Sequence, residues 1–115
     1  MNSSIFYLGV ALLLVHEIDA IRCKEWRIIP GLSSLKERVA MITFIFLHIP
    51  LFYWVIYKIN AEQQNFITGF DIFLIVHLIL HILFLWHKNN EFKDWISWTI
   101  IIGAGICGIL DLLIS

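Results

Sequence analysis

The order of apolar and polar positions predicts four membrane-crossing helices. Ile5–Ile21 is apolar until His16, Glu17 and Asp19 interrupt it near its end, which predicts a first helix over about 4–22. No basic residue precedes this run and no small-x-small site follows it, so it is expected to be retained rather than removed as a signal peptide. Arg22–Ser34 mixes charges with Trp26, Ile28 and Ile29 and turns at Pro30-Gly31, as an interfacial segment does. Ser34-Leu35-Lys36-Glu37 matches a capping box and predicts helix 2 over about 35–57. Pro50 lies inside it, where the ring removes one backbone hydrogen bond, crowds the carbonyl of Phe46 and kinks the helix beside His48. Asn60–Asn65 is a polar hairpin loop. Thr68-Gly69-Phe70-Asp71 repeats the capping pattern, which makes Asp71 a cap and places helix 3 over about 68–87. After a turn at Lys88–Glu91, helix 4 runs over about 92–113, with Gly103, Ala104, Gly105 and Gly108 as a small-residue face for close approach, within the bundle or between copies in a homo-oligomer. The expected fold class is all-α: one integral membrane domain, a four-transmembrane-helix bundle with short loops.

Composition supports this and narrows the function. The chain is 60% hydrophobic and 15% charged, against roughly 45–50% apolar in soluble domains. Four spans use nearly all of its 115 residues, so any chemistry lies in the membrane or at its surface. A net charge of −1, with few and scattered basic residues, leaves no footprint for nucleic acid. Arg22, Lys24, Arg27, Lys36, Arg38, Lys88 and Lys93 cluster around two loops, against Lys58 alone at the opposite end. By the positive-inside rule the two basic loops are cytoplasmic and both termini are not, as expected of a protein in a bacterial inner membrane. Trp26, Trp86, Trp95 and Trp98 at one boundary, and Tyr7, Tyr53, Trp54 and Tyr57 toward the other, form two aromatic belts. Cys23 and Cys107 show no CxxC pairing and read as buried small residues.

Ionisable groups inside a span mark sites, because burying one at the bilayer centre costs about 2.5–3.5 kcal/mol even on lenient scales. At about 1.5 Å per residue, His48 and His77 fall near mid-depth, and His16 and His81 one layer toward the cytoplasm. His77 and His81 are i, i+4, the spacing with which a helix offers two imidazoles to one metal. His16, His48, His77 and His81 are therefore candidate ligands for zinc or iron, with Glu17 or Asp19 as a further ligand or general base. Three other uses remain open: a haem held between two histidines, a small oligomeric transporter with Glu17 or Asp19 as its titrating carboxylate, and polar glue between helices at about 0.6 kcal/mol per contact. With zinc the expected chemistry is hydrolysis of a lipid-soluble small molecule, and with iron its oxidation. His87 and Glu25 read as interfacial, although Glu25 lies where it can serve a site open to the cytoplasm. Asp111 reads as reaching the headgroups.

Two literal matches fail. Gly103–Gly108 spells GxGxxG without the strand and βαβ unit that a dinucleotide fold requires. His16-Glu17-Ile18-Asp19-Ala20 has alanine where HExxH needs its second histidine. That same run, with Lys24-Glu25-Trp26-Arg27 and His48-Ile49-Pro50, resembles a family of small four-span bacterial membrane proteins of unknown function. The resemblance implies that helix 1 and the first loop act as one unit. Size and span count are also similar to the small multidrug resistance transporters, whose first-helix carboxylate corresponds to Glu17. The basic bias and the later helices depart from that family.

Overall fold

The computed structural model describes residues 4–61 and 63–114. Four helices run in sequence: α1 (Ser4–Arg22), α2 (Glu37–Asn60), α3 (Gln64–Phe84) and α4 (Trp95–Ile114), with no strand among the described residues. Each is long and apolar enough to cross a membrane, since 19–24 residues rise about 28–36 Å and the hydrocarbon core is about 30 Å thick. Large apolar side chains such as Ile18, Phe46, Ile49 and Tyr53 point outward, as a lipid-facing surface requires.

α4 packs against both α1 and α3, and α2 stands at the side of this trio. Glycine sets the spacing. A Cβ on Gly105 would lie 2.6 Å from Leu78 Cδ2, one on Gly108 2.6 Å from the carbonyl oxygen of Asp71, and one on Gly9 3.2 Å from Cys107 Cβ. Such contacts let helix backbones approach where no hydrophobic force drives them together, and they place the small-residue face of α4 inside the bundle. α2 buries only Ala40, Phe44 and Val55, which leaves a cavity between it, α1 and α3.

Both capping boxes fail locally. Ser34 belongs to a short 3-10 turn (Leu32–Ser34), where its hydroxyl donates to the Gly31 carbonyl at 2.8 Å, and Leu35 is extended. Helix 2 therefore opens at Glu37, whose carboxylate accepts from Trp26 Nε1 and Arg27 instead of reaching back to a cap. It continues to Asn60, and α3 already begins at Gln64. Asn60, Gln64 and Asn65 of the expected polar loop are thus helical, and its Glu62 lies outside the described residues. Asp71 consequently falls two turns inside α3, buried at 1% exposure, and is not a cap. At its other end α3 stops at Phe84, short of His87. α4 opens at Trp95 rather than Phe92 because Asp94 caps it, accepting from the Ser97 amide at 3.0 Å. Cys23 and Cys107 are buried and free, as expected.

Candidate metal centre

Two helices and two connections build the site. His16 comes from α1, and His77 and His81 from successive turns of α3, with ring centroids 4.5 Å apart. The fourth member, Glu25, follows the end of α1. Lys24 adopts the left-handed conformation (φ 54°, ψ 53°), which side chains other than glycine rarely take, and this reversal carries Glu25 back beneath His16. His16 Nε2 lies 3.1 Å from His77 Nε2 and 3.4 Å from Glu25 Oε2, and His81 Nε2 lies 3.2 Å from Glu25 Oε2. One ligand atom from each of these four residues falls within 4.8 Å of every other, so the group can hold a metal ion.

Burial and charge act together here. His16 and His81 are 0% and 2% exposed. Burial alone pushes the Glu25 carboxyl up, but hydrogen bonds from His16 and His81 outweigh it and hold the group at about 2, so it is an anion. Phe92, expected to open helix 4, instead turns inward as a lid, stacking on His16 at 5.4 Å and meeting His81 edge-on at 4.7 Å. Trp98 Nε1 holds it there by donating to the Phe92 carbonyl at 2.8 Å.

The other candidates divide between two places. His48 does not join the cluster: its Nδ1 donates to the Phe44 carbonyl at 2.6 Å, and its Nε2 meets Glu17 Oε1 at 2.5 Å. With Nδ1 protonated, the second contact is a hydrogen bond only if one further proton lies between imidazole and carboxylate. Glu17 Oε2 is 3.7 Å from His16 Nε2, so this dyad adjoins the cluster. Asp19 works elsewhere, accepting from Arg22 Nε at 2.7 Å and from Ser97 Oγ at 2.5 Å. Arg22 also donates to both oxygens of Asp94, and its hydrogen bond holds that carboxyl at about 2. Burial pushes the neighbouring Cys23 thiol up, so it stays protonated within this network. Arg27 in turn joins Glu37 at 2.7 Å to Glu91 at 2.9 Å, binding the first loop to the last.

Asp111 does not reach the headgroups. It is 1% exposed and faces Asp71 across the α3–α4 contact, where Gly108 lets the backbones close. Both oxygens of Asp71 and Oδ1 of Asp111 lack a partner, and the two carboxyls can hydrogen-bond only with a proton on one of them.

Within this cluster, Glu25 is the residue whose place depended most on the fold. Its only signal in the sequence is an acid shortly after the His16–Asp19 turn. No curated protein and no solved structure shows significant similarity to the chain. A family model matches residues 2–115, and the chain accordingly belongs to that family, DUF6713, a family of unknown function.

Proposed function

We propose that the protein is an integral membrane metalloprotein in which His16, His77, His81 and Glu25 hold one zinc or iron ion, with the Glu17–His48 dyad beside it as proton acceptor. One observation carries this reading: the contacts of 3.1, 3.2 and 3.4 Å among the converging atoms. Ligands about 2.0–2.2 Å from a tetrahedral ion lie about 3.3 Å from each other. As polar glue the same contacts would be hydrogen bonds from imidazole N–H groups to Glu25 and between His16 and His77; what favours an ion is that all four ligand atoms converge within 4.8 Å of one another. The same closeness suits a single ion and leaves no slot for a porphyrin.

Four protein ligands fill a tetrahedron, so a water would have to enter as a fifth ligand, where zinc would acidify it toward hydrolysis and iron would support oxidation. The chain's own contribution is then threefold. Phe92 excludes water from the loop side, Lys24 holds Glu25 in place, and Glu17 holds a proton site between the ion and the apolar cavity that it lines. The two basic loops face the cytoplasm in this reading, and the substrate is lipid-soluble.

The test is elemental analysis of protein purified without a histidine tag. Near one equivalent of metal is expected, and His77→Ala or His81→Ala abolishes it. Metal-free parent protein whose stability neither substitution alters overturns the proposal. Because imidazoles bind metal only when unprotonated, acidification also releases the ion. Orientation is checked separately: tags at either terminus are reached from outside the cytoplasm and a tag between α1 and α2 from inside. A cytoplasmic C-terminus overturns it.

A further inference from the structure

The cavity beside α2 encloses about 540 Å³, within the roughly 300–1,000 Å³ of small-molecule sites. Leu13, Phe52, Trp54, Phe66, Phe70 and Phe73 form much of its wall. It follows Val10–Glu17 on α1, Leu51–Lys58 on α2 and Phe66–Phe73 on α3, two turns of each helix or about 10 Å. Its ends differ from its walls. Glu17 closes the inner end, against His48 and the metal centre. Lys58 and Gln63 stand at the other, where Lys58 Nζ donates to Gln63 Oε1 at 3.1 Å. Lys58 is the lone basic residue at this end of the bundle.

Gly69 supplies an independent observation. It also lines the cavity, yet a Cβ built on it meets nothing within 4 Å. Gly9, Gly105 and Gly108 are required by close neighbours, whereas packing does not require Gly69. Glycine inside a helix is less favourable than any residue but proline. What its missing side chain provides here is open volume.

We infer that this cavity binds a medium-chain fatty acid, with the carboxylate on Lys58, the alkyl chain along the aromatic wall and the terminal carbons at Glu17. An anionic head matches Lys58, the one cation among the described residues that line the cavity, and the two-turn depth accommodates an extended chain of medium length. The assignment names the substrate class of the proposed metal centre and rests on that reading for its chemistry, though not for its binding. The methyl end, not the head, faces the dyad.

Trp54 reports on the cavity, because the other four tryptophans lie at the opposite end of the bundle. Decanoate brominated at mid-chain, within reach of Trp54 one turn from Lys58, is expected to quench Trp54 fluorescence saturably in detergent-solubilised protein, and Trp54→Phe removes that component. The equally brominated decanol and the Lys58→Gln variant bind at least tenfold more weakly. Gly69→Leu places a side chain in the cavity from a Cβ position that meets nothing within 4 Å, so quenching is lost while metal content and thermal stability are kept. Quenching that only follows bulk partitioning, or that survives Gly69→Leu, overturns the cavity assignment, and equal binding of acid and alcohol overturns the carboxylate. Saturable quenching in a parent protein that holds no metal supports the cavity and overturns the metal reading alone.

Discussion

Glu25→Gln is expected to remove bound metal while keeping the fold. The substitution preserves volume and still allows hydrogen bonds to His16 and His81, which now lie 3.4 and 3.2 Å from its carboxylate. What it deletes is the negative charge and the anionic oxygen that a cation needs. A metal present at about 100 times its dissociation constant stabilises the folded state by about 2.7 kcal/mol, so the variant should melt where the chelator-treated parent melts. Asp19→Asn serves as the contrast. Asp19 bonds to Arg22 and Ser97 and not to the cluster, so that variant should keep its metal and lose stability through the network at the loop end. If Glu25→Gln binds metal at the parent's stoichiometry and shifts equally on chelation, Glu25 is not a ligand.

These two acids show how far the sequence could be read. Depth along straight helices brings His16, His77 and His81 together, because all three lie within helices and the 1.5 Å rise is insensitive to tertiary detail. The same reasoning groups His48 with them. What it lacks is the lateral position of α2, which stands away from α4 and delivers His48 to Glu17 instead. Glu25 needed one backbone angle at Lys24, a conformation that lysine seldom adopts and that no residue pattern announces. The helix starts failed for a related reason. A capping box is a local competition, and at Glu37 it loses to Trp26 and Arg27, which arrive from a separate turn. The glycine face of α4 was legible as a surface for close packing, but its occupant was not, since a stripe of small residues fits a neighbour in the same chain and a second copy equally well.

That occupant makes Gly108→Leu the substitution expected to cost most stability. The added Cβ would stand 2.6 Å from the Asp71 carbonyl oxygen and 3.0 Å from Leu74 Cβ. The first is backbone in the interior of α3 and cannot swing aside, so the two helices must separate. Overpacking of this kind costs about 1–3 kcal/mol, occasionally more. Gly103→Leu is milder, because its nearest neighbour is Leu12 Cδ1 at 3.3 Å, the end of a side chain that can change rotamer. Gly69→Leu should be neutral or stabilising, since no atom lies within 4 Å of its Cβ position. α3 carries His77 and His81 and is positioned by α4, so separating the pair should also release metal. Thermal unfolding in detergent should therefore rank the variants Gly108→Leu, Gly103→Leu, Gly69→Leu from least to most stable, with metal lost in the first. A Gly108→Leu protein that melts with the parent and holds its metal would show that α3 and α4 do not meet at Asp71.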